Sequence, residues 1–242
     1  MARTFSGTGQ RLSRTTSVPA TGTPCTMACW FQRADTSGVE TLMALAASGG
    51  TDYLRLDATA SLTVQASALD EFGSASATSS AATSVDTWTH AAAVYSGQAS
   101  RAAFLNGANK GTNTTDVLPV GITEVHLAAF LTTQLLNGRL AEAGIWVAAL
   151  TDDEVAELAA GMSPLLVRPN SLRFYWRGLD ADGDIDWWNQ HNLSVTGSPT
   201  YAQHPPIIYP RGVRVHIPAP AGGGGGGTVI PVMMNQYRQR WN

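Results

Sequence analysis

Along most of this chain short apolar runs alternate with clusters of Gly, Asn, Ser and Asp, and within the runs apolar residues recur at every second position. That is the period of a half-buried β-strand, whose successive side chains point to opposite faces. "CTMACWFQR" (25–33) opens the series after Pro24, followed by "TLMALAAS" (41–48) and "DYLRLDAT" (52–59), the last with Leu54 and Leu56 on one face. "SLTVQAS" (61–67) turns Leu62, Val64 and Ala66 inward. "TWTHAAAVYSG" (87–97) is apolar on both faces in its middle, as a central strand covered by two layers would be. In "RAAFLNGANKGTNTT" (101–115) the Asn106-Gly107 pair predicts a tight hairpin, because both central turn positions need positive φ. "EVHLAAF" (124–130) alternates Val125, Leu127 and Ala129, and "GRLAEAGIWVA" (138–148) sets Leu140, Gly144 and Trp146 against Ala141, Ala143, Ile145 and Val147. "SLRFYWRG" (171–178) and "NLSVTG" (192–197) complete the set. About ten short strands predict an all-β fold, an antiparallel β-sandwich.

One segment changes period. In "TDDEVAELAAG" (151–161), Val155, Leu158 and Ala159 fall at helical spacing. Thr151 is suited to the N-cap, Glu154 three residues later completes a capping box, and Gly161 supplies a left-handed C-terminal position. Asp152 and Asp153 then sit in the first turn, where the helix dipole favours negative charge. The three acids read as a cap rather than a metal site. A single short helix of this kind is expected to cover an end or edge of the sandwich.

Composition narrows the function. Of 242 residues only 14% are charged, and the formal net charge is −3. Nucleic-acid binding needs a basic face, which this balance does not supply. "MARTFSGTGQRLSRTTS" at the N-terminus lacks the apolar core of a signal peptide, and no run is long enough to span a bilayer. A chain of this length buries roughly 70% of its unfolded surface, so neither a disulfide nor a metal is needed for stability. Cys25 and Cys29 would point to one face of a strand, about 13 Å apart. A disulfide requires Cα atoms within about 7 Å. They are therefore expected to be buried free thiols in a chain made in a reducing cytoplasm.

Several motifs occur in a telling order: "FSGTGQRLS", "TMACWF", "TWTHAAAVY", "AAFLNGANKGTNTT", "NGRLAEAGIWVAALTDDEVAELAAG" and "SPLLVRPNSLRFYW". Over roughly residues 3–200 this set resembles the laminin-G-like group of the concanavalin A-like lectin/glucanase superfamily. It is most similar to the single-domain versions found in bacteriophage and prophage proteins. In that family the Trp-X-His pair, here Trp88 and His90, opens a central strand, and the Asn-Gly hairpin, a Gly-led strand ending in Trp and the capped helix follow. The resemblance implies a jelly-roll sandwich with a late helix.

Candidate chemistry is sparse. Glucanases of the superfamily place two carboxylates at alternate positions of one strand, but Glu40, Asp57, Glu124 and Glu142 have no acidic neighbour two residues away in the quoted strands. His90 and His126 lack an accompanying Ser or Cys motif and read as packed side chains. The concentrated charge lies in "GLDADGDIDWWNQHN", where Asp180, Asp182, Asp184 and Asp186 alternate. As a calcium loop, Gly183 at the sixth position would put Asp180, Asp182 and Asp186 at the third, fifth and ninth, with Asn189 where the closing Glu belongs. Laminin-G-like relatives often bind calcium. With that carboxylate missing, a solvated acidic loop is the preferred reading and no cofactor is expected. Trp187 and Trp188 are adjacent, so in an extended chain one ring packs on the sandwich and the other is exposed. An exposed ring could stack on a sugar, with Asn189, Gln190 and Asn192 adding polar contacts, or could cover the core or meet a neighbouring subunit.

After residue 203 the composition shifts to Pro and Gly, with six consecutive glycines at 222–227. The sequence thus divides into a sandwich, 1–203, and an extended arm, 204–242. The arm ends in an apolar and aromatic-basic piece containing Val229, Ile230, Met233, Met234, Tyr237, Arg238, Arg240 and Trp241, residues suited to anchoring on another chain. Taken with the resemblance to bacteriophage and prophage proteins, this implies a non-enzymatic structural protein of a bacteriophage virion, a head decoration protein that contacts other virion subunits and copies of itself. The alternative is a carbohydrate-binding tail or adsorption protein that recognises host surface glycans.

Overall fold

The period-2 runs become two antiparallel sheets in the computed structural model, which describes residues 2–178 and 183–210. The chain runs β1 (Ala2–Ser6), β2 (Arg11–Arg14), β3 (Cys25–Arg33), β4 (Glu40–Ala47), β5 (Tyr53–Ala58), β6 (Val64–Asp70), β7 (Gly73–Thr78), β8 (Thr89–Gly97) and β9 (Ser100–Leu105). It continues with β10 (Ala108–Asn113), β11 (Ile122–Leu127), β12 (Asn137–Trp146), α1 (Asp152–Ala159) and β13 (Leu172–Trp176). The last strands are β14 (Ile185–Asp186), β15 (His191–Asn192), β16 (Ser194–Thr196) and β17 (Thr200–Ala202). The larger sheet is ordered β10-β9-β8-β3-β12-β1-β17, with β13 also on β12, and the other is ordered β16-β2-β11-β4-β5-β6-β7. This is the expected jelly-roll sandwich.

Met27, Phe31, Leu45, Leu56, Val125, Leu140, Ile145 and Trp176 belong to the core between the sheets. A second cluster, including Ala92, Val94, Phe104, Trp146, Leu150, Val155 and Leu158, lies on the outward side of the larger sheet. That explains why β8 is apolar on both faces. Ala91 and Ala93 face the core, while Ala92 and Val94 lie in the outer cluster with the α1 residues. The helix thus covers a sheet face, not the end or edge predicted for it.

Its termini follow the sequence closely. The Thr151 side chain accepts the Glu154 backbone N–H, and Glu154 Oε2 accepts the Thr151 N–H at 2.8 Å. Gly161 has φ +94, its N–H meets Leu158 O at 3.0 Å, and the Met162 N–H meets Glu157 O at 3.1 Å. These are the two bonds of a Schellman stop. The Asn106-Gly107 hairpin also forms, with φ of 54° and 72°. Gly107 is required there for space too, since a Cβ would lie 2.7 Å from Ala159 Cβ on the helix.

Both cysteines are free and face the core. Burial pushes both thiols up, Cys25 to about 12.

Two expectations about strands need correction. Leu62 is not a strand residue: it has φ +61, and its N–H bonds Thr59 O in a turn before β6. The alternation in β12 is interrupted at Glu142, which has φ +56, and the register against β3 shifts by one residue between Ala141 and Gly144. A bulge inserts one unpaired residue and so reverses which parity faces inward. Leu140 therefore shares the core with Ala143 and Ile145, while Trp146 points outward.

Candidate functional site

The bulge is also where β12 changes neighbours. Its first half pairs with β1 and its second half with β13. The chain from Gly183 onward closes this side of the sandwich. Asp184 accepts from Arg3 Nε at 3.0 Å, makes a second contact with Arg3 Nη2, and accepts from Trp176 Nε1 at 3.3 Å. Asp186, fully buried, takes Arg14 Nη1 at 3.0 Å and the backbone N–H groups of Tyr175 and Trp188, each at 3.0 Å. One carboxylate thus stands in for a missing strand neighbour at Tyr175 and neutralises a buried arginine. Removing one partner of such a pair typically costs about 3–5 kcal/mol, because the other charge is left uncompensated.

This overturns the solvated-loop reading for Asp184 and Asp186, which are clamps between the N-terminal strands and the end of the sandwich. With the Asn189 amide 3.4 Å from its second oxygen as well, each oxygen of Asp186 already meets two donors, which leaves none to give to calcium. Asp180 and Asp182 lie outside the described residues, and among the described residues no three His, Cys, Asp or Glu side chains are grouped to hold a metal.

Trp187 and Trp188 sit in a turn, not an extended segment, and both pack half-buried against the outer cluster. Neither matches the pair of opposed rings predicted from the sequence. The Asn189 amide donates to Arg173 O at 2.6 Å and the Gln190 amide to Trp187 O at 2.8 Å, so both are engaged within the fold. Asn192 is exposed. The eight arm residues proposed as anchors lie outside the described residues.

Beside Trp187 is a polar cluster the sequence did not suggest. Glu142, carried on the bulge and buried, accepts Tyr175 Oη at 2.6 Å and Tyr209 Oη at 2.8 Å, with His204 Nε2 at 3.2 Å. Arg177 is stacked between the rings of Trp187 and Tyr209, 4.7 and 4.8 Å from their centroids. Burial and the adjacent Glu142 carboxylate push both tyrosine hydroxyls above their ordinary range. The Ile208 N–H bonds Gly161 O at 2.7 Å, so residues 204–209 are strapped across the outer face beside the helix end. Glu142 is thus a docking point for the chain that leads into the arm. Its residues come from four separate stretches, and none carries a motif.

The open concavity is elsewhere. At one end of the sandwich the β1–β2, β3–β4 and β11–β12 connections enclose a cleft of about 520 Å³ lined by Ser6, Thr8, Asp35, Ser37, Glu40, Gln134 and Asn137, with Val39 and Leu135 as apolar walls. Asp35 is fixed by the Ser37 N–H at 2.8 Å, the Ser37 hydroxyl at 2.7 Å and the Asn137 amide at 2.6 Å. The Ser37 backbone bond, with the Ser37 and Asn137 side chains, holds its carboxyl down at about 2. Glu40 behaves in the opposite way. Burial pushes it up despite Arg33, whose Nε lies 2.7 Å from Oε2, and its Oε1 accepts the Asn137 N–H. These two acids are five residues apart across a turn, a spacing outside the strand-borne pairs sought in the sequence. A second concavity, about 290 Å³, lies over Phe104 beneath the 2.8 Å Lys110–Asp152 pair.

His90 and His126 are packed side chains. The His90 ring meets Trp30 edge-on at 5.6 Å, and His126 Nε2 is 2.9 Å from Glu124. Burial lowers both.

Two facing antiparallel sheets, a helix on the outer face and a polar cleft at one end define a lectin-type β-sandwich. The family model for laminin-G domains of the Concanavalin A-like lectin/glucanases superfamily matches residues 6–156, well over half of the chain, and the chain belongs to that family. No curated protein matches the sequence. Among solved structures the chain is similar to a native heptameric SAP-like pentraxin from Limulus polyphemus, with 14% identity, a TM-score of 0.58, and 82% of this chain and 93% of that one covered. It is similar to a putative carbohydrate binding protein from Bacteroides ovatus, with 14% identity, a TM-score of 0.58, and coverage of 86% and 61%. It is also similar to the CBM40 of a Ruminococcus gnavus IT-sialidase bound to α2,3-sialyllactose, with 15% identity, a TM-score of 0.56, and coverage of 65% and 96%. At these identities the likeness is one of fold.

Proposed function

We propose that this chain is a non-enzymatic recognition protein that binds an uncharged glycan in its end cleft, as part of a bacteriophage particle. The observation that carries the glycan reading is the ionised Asp35 carboxylate, fixed by three hydrogen bonds in a cleft rimmed by hydroxyls and amides. Carboxylate and amide groups held in fixed positions suit the paired hydroxyls of a sugar, and the low charge of the rest of the rim adds no competing site. A fixed negative charge repels a sialic acid or sulfated sugar, so the selectivity is for neutral glycans. Hydrolysis would need two carboxylates flanking one bond, roughly 5–9.5 Å apart. Here Glu40 is buried against Arg33, leaving Asp35 as the acid free to meet a ligand.

A glycan array checks this directly. Neutral oligosaccharides should give reproducible binding, sialylated and sulfated ones none, and Asp35→Asn should weaken the best hit by roughly tenfold or more, the scale of a charged hydrogen bond. No reproducible hit, or a hit unaffected by Asp35→Asn, would sink the cleft as the site.

The particle context rests on the resemblance of the motif order to that of phage and prophage proteins, and on the arm. Residues 211–242 contain four arginines, no acid, and several large apolar side chains. In this reading the chain decorates the head surface, and the arm ties it to neighbouring subunits. The same cleft would serve an adsorption protein on the tail.

A further inference from the structure

Three large apolar side chains stand in water at one end of the molecule: Phe72, 88% exposed at the tip of the β6–β7 hairpin, and Leu118 and Val120, 49% and 61% exposed in the connection to β11. Single exposed apolar residues are ordinary, but a group of them marks a contact surface. These three are held in a group. The Asp70 carboxylate accepts the Phe72 N–H at 2.9 Å through one oxygen and the Leu118 N–H at 2.7 Å through the other, stapling the two connections together. Asp52 accepts the Val120 N–H at 3.0 Å. Val117 before them and Pro119 between them are buried, so the loop is folded to keep Leu118 and Val120 outward. Glu71 and Asp116, both exposed, add negative charge beside the patch.

We infer that this patch is the resting dock of the chain's own arm end, residues 228–241. The match is chemical on both counts. The segment offers Val229, Ile230, Met233, Met234, Tyr237 and Trp241 to the apolar surface, and Arg238 and Arg240 to the acids. The rest of the chain is more acidic than the whole, since the arm holds four arginines and no acid in a protein of net charge −3. The connection from Arg211 through the glycines to Gly227 spans up to about 55–60 Å when extended. A domain of this size has a radius of gyration of only about 17 Å, so the arm reaches the patch on its own molecule. A tether of this kind gives an effective concentration in the millimolar range, which favours the chain's own arm over that of another copy in dilute solution. Docking covers two apolar surfaces at once and leaves the arm available for exchange onto a neighbour when chains are crowded together. This dock is independent of the glycan cleft and of the particle reading.

The test uses the full chain with the photo-crosslinking amino acid p-benzoylphenylalanine in place of Phe72, a surface position that does not disturb the core. Irradiation should give cross-links whose peptides map to residues 228–241, and none above background when the same amino acid replaces Val195. In an equal mixture of 15N-labelled and unlabelled chains those cross-links should pair like with like. Cross-links mapping elsewhere, hybrid cross-links, or none at all would each overturn the inference. Tryptic cleavage after Arg238 and Arg240 should be about tenfold faster in the double variant Phe72→Ser, Leu118→Ser, and an unchanged rate would equally overturn it.

Discussion

His90 lies in the centre of the larger sheet with its ring against Trp30 and its Nδ1 without a hydrogen-bond partner. Burial holds it down at about 3, so it stays neutral in the folded protein throughout the ordinary range. In the unfolded chain an imidazole protonates near 6.5. Between those two values the unfolded state therefore binds a proton that the folded state does not, and stability falls as the pH drops, by about 1.4 kcal/mol per unit. His126 acts in the same direction, its burial outweighing Glu124, and Asp35, held low, loses stability only at more acid pH. Glu40 and Asp57 oppose them, because burial raises both and their folded forms take up protons first. His90→Gln isolates one contribution: its stability loss between pH 7 and pH 5, measured by urea unfolding, should be smaller than the parent's by about 2 kcal/mol. Equal losses would mean that His90 is charged inside the fold. The packed role of His90 was legible in the sequence, since it sits in a run apolar on both faces. The roles of Asp184 and Asp186 were not. Their partners Arg3 and Arg14 lie at the other end of the chain, and no local pattern signals a contact across that distance.

At the level of elements, the helix was the best-specified part because all its signals are local. Thr151→Ala removes the side-chain oxygen that accepts the Glu154 N–H, and should cost about 1 kcal/mol in urea unfolding. Glu154 should remain in place, because it also holds Arg168 at 2.7 Å, so the loss should not spread to the sheets. A loss of several kcal/mol would show that the cap supports more than the helix end. The central strands were equally readable from their alternation. β7 was missed because its inward residues are Ala75 and Ala77, side chains too small to stand out against serine and threonine. The bulge in β12 was missed because every residue there reads as strand, and only pairing with β3 shows that one is extra. The end cleft was illegible for a similar reason. It is assembled from three connections, whose residues become neighbours only when the sheets are in register.

For the whole molecule, the anchoring role proposed for the arm can be tested apart from the folding of the sandwich. The strap of residues 204–209 is fixed by Glu142 and by the Ile208–Gly161 bond, contacts that a cut at residue 222 leaves in place. Deleting residues 222–242 should therefore give a folded protein, its melting temperature lowered only by the loss of the docked arm end, that no longer enters particles in an incorporation assay. Equal incorporation would remove the arm from the account of assembly. The closure of the sandwich also bears on how the chain comes to be made. β1 pairs with β12 and β17, and β2 pairs with β11 and β16, so these two strands have no partner until β11 and β12 are synthesised and stay open on one side until β16 and β17 follow. Arg3 and Arg14 wait for carboxylates 181 and 172 residues further on. Contacts of such long range make a fold slow to form, on the scale of milliseconds to seconds. A nascent chain that has not yet released residues 184–202 thus carries two strands open on one side and two unmatched arginines, and the sandwich shuts only as those residues emerge.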